Sequence, residues 1–316
     1  MVKIDLITGF LGSGKTTFIR EYAKYLVSKG ERICIIENDY GAVNIDMVML
    51  QELLGDNCNL EMIVGGDGKE AHRRRFKTKL ISMGMSGYDR VLIEPSGIYD
   101  VDEFFDVLYD EPLDRWYEIG SVISLVDAEA VFGLEGIERY VFMSEIASAG
   151  KLIVTKLSDS INPVDVMNEA NKIMAEFGGK AFDIEKDFVA KNLTEYTDED
   201  FEGLKSSGYR HASYVKTPIE DKQFTPLFYF DVEMNEDELK KLATDLFADE
   251  TAGHIIRIKG FVKTGENSQV QINATEKGVI LSDIVSSRNV VIIIGESLNK
   301  DYINSIFEGK CSVVSL

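Results

Sequence analysis

Short runs of aliphatic and β-branched residues alternate with segments of helical spacing through the first half of the chain. Residues 3–8, 32–36, 90–93, 121–126 and 152–154 read as strands. Phe18, Ile19, Tyr22, Ala23 and Leu26 recur at helical spacing after the first of them, and Val166, Met167, Ala170, Met174 and Phe177 line one face of a helix opening near Pro163. This alternation predicts an α/β fold, a parallel sheet flanked by helices. The rhythm breaks in the acidic, turn-rich stretch 192–208, which contains Asp198-Glu199-Asp200. We read 191–210 as a linker or surface excursion, which places one domain at 1–190 and another at 211–316. In the second, strand-like runs at 226–232, 254–262, 270–272, 279–281 and 290–294 accompany two helices. Asn235 with Glu238 three residues on opens the first helix; Tyr302, Ile303, Ile306 and Phe307 face inward in the second, which stops at Gly309. These features predict a smaller α+β domain.

Composition narrows the function classes. The 316 residues carry 34 Lys and Arg against 54 Asp and Glu, a formal charge of −20. Such a surface repels nucleic-acid phosphates and anionic membranes, so neither is expected as a partner. With 45% hydrophobic residues and five prolines, the chain has the makings of a packed globular protein. Cys34, Cys58 and Cys311 are odd in number and far apart, which gives neither a disulfide framework nor a CxxC knuckle and fits a reducing cytoplasm. Asp5 interrupts the first apolar run and no small-residue cleavage site follows, so the start does not read as a secretory signal.

The chemistry begins at Gly9-Phe10-Leu11-Gly12-Ser13-Gly14-Lys15-Thr16, which matches GxxxxGK[ST] between a predicted strand and a predicted helix. In that context the backbone wraps a polyphosphate, its N–H groups and the helix N-terminus face the charge, and Lys15 reaches the terminal phosphates. Thr16 offers a hydroxyl to Mg²⁺. The chain is thus expected to be a P-loop NTPase. Partner groups belong at the carboxyl ends of neighbouring parallel strands. Val91-Leu92-Ile93-Glu94 ends in an acid suited to the Mg²⁺ shell, and Gly97 follows where an N–H can sense a γ-phosphate. Ile35-Ile36-Glu37-Asn38-Asp39 ends another strand, with Glu37 or Asp39 placed to orient water. For the base, Thr155-Lys156-Leu157-Ser158-Asp159 is a partial NKxD loop: Thr155 stands for Asn, and Ser158 takes the carboxylate position with Asp159 one residue on. GTP is favoured over ATP.

Together these segments resemble the CobW/HypB/UreG family of P-loop GTPases, most closely its two-domain CobW-like members. The resemblance rests on residues 8–17, Ile36-Glu37-Asn38-Asp39-Tyr40-Gly41, Val43-Asn44-Ile45-Asp46, Ile93-Glu94-Pro95-Ser96-Gly97 and Ser124-Leu125-Val126-Asp127-Ala128. Ile256-Arg257-Ile258-Lys259-Gly260-Phe261 extends it into the second domain. It implies slow Mg²⁺-dependent GTP hydrolysis, with Gly9, Gly12, Ser13, Gly14, Lys15, Thr16 and Thr17 on the phosphates. It further implies a nucleotide switch serving metal or cobalamin-cofactor handling or metalloenzyme maturation, with a metalloenzyme or corrinoid protein as partner. The family's CxCC metal motif is replaced here by Val64-Gly65-Gly66-Asp67-Gly68-Lys69, and Ala42 stands where an acid is common. A transition metal (Zn, Co or Ni) would then need other ligands, for which Glu37, Cys58 and His72 are the candidates. The alternatives are a metal-insertion chaperone with a non-standard site and a small-molecule kinase with Arg73 to Arg75 as a lid. The run His72-Arg73-Arg74-Arg75 with Lys77 and Lys79 also reads as the solvated face of an amphipathic helix with Phe76 and Leu80 inward.

Overall fold

The first apolar run forms β1 (Val2–Thr8), and strands on both sides of it account for its near-continuous burial. The structure is a computed structural model and describes residues 1–39, 46–64, 69–97, 101–215, 224–265, 268–284 and 289–314. After β1 come α1 (Lys15–Ser28), β2 (Ile33–Asp39), α2 (Asp46–Leu50), β3 (Cys58–Val64), α3 (Lys69–Met85) and β4 (Arg90–Pro95). Next are α4 (Val101–Leu108), α5 (Leu113–Trp116), β5 (Tyr117–Asp127), α6 (Gly136–Ile146), β6 (Lys151–Thr155), α7 (Pro163–Glu176), β7 (Phe188–Ala190) and α8 (Asp198–Lys205). The seven strands pair in parallel in the order β3-β2-β4-β1-β5-β6-β7. The helical face read from Phe18, Ile19, Tyr22, Ala23 and Leu26 is buried against Ile33, Ile35, Leu92, Ile123 and Leu125 of the sheet. The fold class is therefore the expected α/β one, while the edge strands β3 and β7 escape the apolar pattern: one carries Asn59 and Glu61, and the other is three residues long.

Asp5 has a structural meaning that its apolar context hides. Its carboxylate is fully buried and accepts from Arg90 Nη1 at 2.7 and 2.6 Å, Tyr22 Oη at 3.0 Å and the Ser121 N–H at 2.9 Å. A bulge makes room for it: Ile4 pairs with Ile119 but Asp5 with Ser121, leaving Gly120 as the extra residue of β5. Arg90 also reaches Glu31 at 3.1 Å, and Lys205 of α8 completes the chain of charges on Glu31 at 2.5 Å. Burial pushes the Asp5 carboxyl up to about 6, against the pull of Arg90, Tyr22 and Ser121.

The stretch 191–210 differs from the linker expected of it. Two compact units are present, Met1–Thr217 and Pro218–Leu316, and the acidic stretch belongs to the first. Asp198, Glu199 and Asp200 fill the first turn of α8, where they complement the helix dipole, and Thr197 with Asp200 forms a capping box. The Asp200 carboxyl is held down at about 2, chiefly by its hydrogen bond from Lys191 and those from Thr197. Behind this cap, Phe201 is buried and stacks at 5.3 Å on Tyr25 and 6.0 Å on Tyr22. The acidic triplet thus opens a docked helix, and composition alone does not distinguish the two.

The second unit holds β8 (Phe224–Phe230), α9 (Glu236–Ala248), β9 (His254–Lys263), β10 (Gln269–Thr275), β11 (Gly278–Asp283), β12 (Val290–Glu296), α10 (Lys300–Phe307) and β13 (Val313–Val314). Its antiparallel six-stranded sheet has the order β11-β10-β9-β12-β8-β13. Leu239, Leu242, Ala243 and Leu246 of α9 and Ile303 and Phe307 of α10 share one core with Ile258, Val262, Ile272 and Val291. Asn235 caps α9 through the capping box that the sequence shows. No helix among the described residues is long and apolar enough to cross a membrane.

Candidate functional site

Three strand ends of the parallel sheet meet at the loop between β1 and α1. The loop turns through the Ser13 N–H, which donates to the Phe10 carbonyl at 3.1 Å, and α1 begins at Lys15. Lys15 is buried, and its Nζ donates to the carbonyls of Gly9 at 2.6 Å and Phe10 at 3.4 Å. The ammonium therefore lies along the loop it belongs to. Thr16 Oγ1 donates to Glu94 Oε1 at 2.7 Å, joining the loop to the end of β4 across 78 residues of sequence. Glu37 is the register partner of Glu94, and both are buried, which sets two carboxylates side by side beyond the loop. Asn38 follows, fully buried; its carbonyl accepts from the Ser96 N–H at 2.9 Å, and its side-chain amide has no hydrogen-bond partner among the described residues.

Gly97 closes over this group. A Cβ there would fall 2.7 Å from the Leu11 nitrogen and 3.0 Å from Lys15 Nζ, so the backbone approaches the loop more closely than any side chain permits. The Ser13 hydroxyl is buried with no partner among the described residues, an orphan donor inside the loop. Oxygen donors from Thr16 and Glu94 suit a hard cation such as Mg²⁺.

At the end of β6 the side chains of the 155–159 loop are held by contacts within the protein. Thr155 Oγ1 donates to the Ser13 carbonyl at 2.8 Å and sits 3.3 Å from the Val126 carbonyl, which makes it a strap between the end of β6 and the loop between β1 and α1. Lys156 takes a left-handed backbone (φ 54°), and its Nζ meets Asp127 Oδ2 at 2.6 Å. Asp127 is in turn held by the N–H groups of Glu129 and Ala130, both at 3.0 Å. Ser158 Oγ lies 2.9 Å from Ser160 Oγ, and Asp159 is exposed in the following turn.

The three candidate transition-metal residues do not converge. Cys58 pairs with Ile33 whereas Glu37 pairs with Met62, so Cys58 lies four positions back along the sheet, about 13 Å at 3.3 Å per residue. Burial pushes its thiol up to about 11, which keeps the thiolate form scarce. His72 is buried rather than on the surface, with Nδ1 3.4 Å from Glu103 Oε1. Among the described residues no cluster of three His, Cys, Asp or Glu side chains is placed to hold a metal. The Asp39 side chain, residues 40–45 and residues 65–68 with Gly66, Asp67 and Gly68 lie outside the described residues, as does the Lys69 side chain. On α3, Phe76 and Leu80 are buried as expected of an amphipathic face, and three of its cations are engaged: Arg73 and Lys77 converge on Asp110 at 3.6 and 3.2 Å, and Lys79 meets Glu61 at 2.8 Å. A lid built on Arg73 would first have to break that pairing.

One residue at the site has no local sequence signal. Glu145, in the last turn of α6, is fully buried and accepts from the Gly9 N–H at 3.2 Å. An acid at the sixth position of the mostly apolar stretch Tyr140 to Ile146 is the only trace it leaves in the sequence.

The family described as "CobW/HypB/UreG, nucleotide-binding domain" matches residues 3–182, more than half of the chain. The zinc chaperone YjiA of Escherichia coli K12 is 28% identical over 181 residues, covering 54% of this chain and 52% of that protein. The zinc chaperone YeiR of the same organism is 28% identical over 164 residues, covering 52% and 48%. The matched region thus spans about half the length of these relatives. The Zn(II)-bound crystal structure of YjiA GTPase from E. coli aligns over 98% of this chain and 99% of that one, at 20% identity and a TM-score of 0.35.

Proposed function

The chain belongs to the CobW/HypB/UreG family, and from that premise we propose that it is a Mg²⁺-dependent GTPase whose nucleotide state governs the handling of a metal, or of a metal cofactor, for a protein partner. The contact of Thr16 with Glu94 carries the nucleotide part of this reading. It joins the phosphate loop to a strand-end carboxylate as Mg²⁺ coordination requires. When bound, Mg²⁺ supplies charge neutralisation on the phosphate oxygens.

The chain's own groups do the rest. Amides of residues 9–17 and the α1 N-terminus receive the phosphates, and Lys15 turns from the Gly9 and Phe10 carbonyls onto the charge that develops as the γ-phosphoryl leaves. The Gly97 N–H meets the γ-phosphate. Glu37 or Asp39 orients the attacking water, whose oxygen bonds to phosphorus as the bridging bond to the β-phosphate breaks; the water's proton passes to the phosphate or the carboxylate. Lys156 lays its stem against the base, Ser158 or Asp159 meets the base edge, and Thr155 ties that loop to Ser13 in place of touching the base. Steady-state phosphate release tests this: turnover of GTP that requires Mg²⁺ supports it, and no turnover or binding of any nucleotide refutes it. Gly97→Ala drives a methyl into Leu11 and Lys15; overpacking of this kind costs about 1–3 kcal/mol, so Mg·GTP affinity is expected to fall roughly tenfold, read by equilibrium titration of a fluorescent GTP analogue.

The zinc chaperones YjiA and YeiR favour metal as the cargo. Positions 64–69 carry no thiol in this chain, so a Zn²⁺, Co²⁺ or Ni²⁺ site would be built from oxygen and nitrogen ligands and bind less tightly than a thiolate site. Calorimetric titration of the three ions into the GTP-analogue and GDP forms separates the cases. Binding that differs between nucleotide states supports metal carriage, and none in either state leaves a switch for a protein partner alone. The cytoplasm, reducing and nucleotide-rich, is the compartment this reading requires.

A further inference from the structure

Glu145 places a carboxylate where a phosphate-binding loop least tolerates negative charge. It lies on α6 in a stretch, Val141 to Ile146, whose every residue is buried, and it is itself fully enclosed. A carboxylate in such surroundings needs strong donors. One of its oxygens, Oε2, accepts from the Gly9 N–H at 3.2 Å, although 136 residues separate the two. Its backbone is fixed at the same place, because Ser124 Oγ donates to the Glu145 carbonyl at 3.1 Å, and Ser124 is the register partner of Thr8, the residue before Gly9.

Gly9 is held at both ends. Its backbone has φ 136°, a conformation that side chains rarely adopt, and a Cβ there would fall 2.5 Å from the Leu125 carbonyl oxygen. Its N–H faces Glu145 and its carbonyl takes the Lys15 ammonium at 2.6 Å. A single residue thus links a buried acid to the lysine that meets the phosphates.

We propose that Glu145 is a positioning residue of the phosphate-binding loop: by accepting the Gly9 N–H it fixes the orientation of Gly9, and through the Gly9 carbonyl it sets the resting place of Lys15. The role is that of an acceptor, not of a charge, since a negative charge beneath an anion site opposes binding. This inference rests on the nucleotide site proposed above. The distinction matters for substitution: Glu145→Met leaves the Gly9 N–H without its acceptor, and a merely structural Glu145 would register that loss in the melting temperature and not in nucleotide affinity.

The test compares Glu145→Met and Glu145→Gln in the full chain, reading Mg·GTP affinity, kcat against KM, and the melting temperature without nucleotide. Leaving the buried Gly9 N–H without an acceptor predicts that Glu145→Met weakens Mg·GTP binding about thirtyfold while melting within a few degrees of the unaltered protein. Glu145→Gln, which keeps an acceptor, recovers most of that loss. Binding by the Met variant as tight as by the unaltered protein, or equal losses in both variants, overturns the proposal. Should the Met variant fail to fold, the Gly9 amide decides: ¹³C-Thr with ¹⁵N-Gly labelling selects Gly9 and Gly265, and the Gly9 proton should move upfield in Glu145→Gln. An unmoved resonance overturns the contact. Absence of nucleotide binding by the unaltered protein would refute the GTPase reading, while the Gly9 resonance would still test the placement of Glu145.

Discussion

Lys15→Ala is expected to abolish GTP turnover and to weaken Mg·GTP binding by roughly two to three orders of magnitude. The ammonium is buried against the loop, and its two carbonyl contacts, at Gly9 and Phe10, hold it ready without neutralising it. Removing one such preorganised charge from a catalytic anion site typically costs about 3–4 kcal/mol, each 1.4 kcal/mol being a factor of ten. The truncation leaves the apolar core of α1 untouched, so thermal stability should change little. Equilibrium titration with a fluorescent nucleotide, paired with phosphate release, checks both parts. An affinity within threefold of the unaltered protein would mean that the loop is not the phosphate site.

Arg90→Met should cost more stability than any surface change, and the cost should depend on pH. Arg90 is the countercharge of the buried Asp5, and removing one partner of a buried pair costs about 3–5 kcal/mol. The sign follows from linkage. The folded-state pKa of Asp5, about 6, lies above its ordinary 3.8, so the folded protein holds the proton more tightly and stability falls as pH rises through that window. Without Arg90 the carboxyl rises further, and the fall continues above pH 6. The deficit of Arg90→Met should therefore be largest near pH 7.5 and shrink toward pH 4, where Asp5 is protonated and the lost pairing matters least. Denaturant melts at the two pH values test this, and a deficit independent of pH would show that Asp5 does not titrate as placed.

Much of the site was legible because its parts are local. A strand, a glycine-rich turn and a helix are contiguous over residues 2–28, so spacing and periodicity describe them without reference to the rest of the chain. Glu94 and Glu37 were legible for a related reason: an apolar run that ends in an acid marks a strand's carboxyl end, where this class of fold builds sites. Thr155 shows the limit. Its position in a base-reading motif is visible, but that its hydroxyl goes to Ser13 follows from how β6 lies against the loop. The metal candidates show the same limit in reverse. Cys58 and Glu37 are near in sequence, yet a strand carries them to opposite ends of the sheet.

The acidic stretch was misread through composition. Charge density at 198–200 is what a linker has and also what a capped helix start has; the difference is Phe201, whose burial depends on the distant rings of Tyr22 and Tyr25.

By itself the sequence determined the α/β class, the glycine-rich loop between β1 and α1, the strand-end carboxylates and the absence of thiols at 64–69, since each is carried by neighbouring residues or by spacing within one element. Only the tertiary structure decided that Arg90 answers Asp5, that α8 docks on α1, and that Glu145 grips Gly9. Those contacts join residues 85 and 136 positions apart in two of the cases, and α8 lies well over a hundred residues beyond α1. No local pattern fixes which distant donor a buried acid will find, because that is settled by how strands and helices pack.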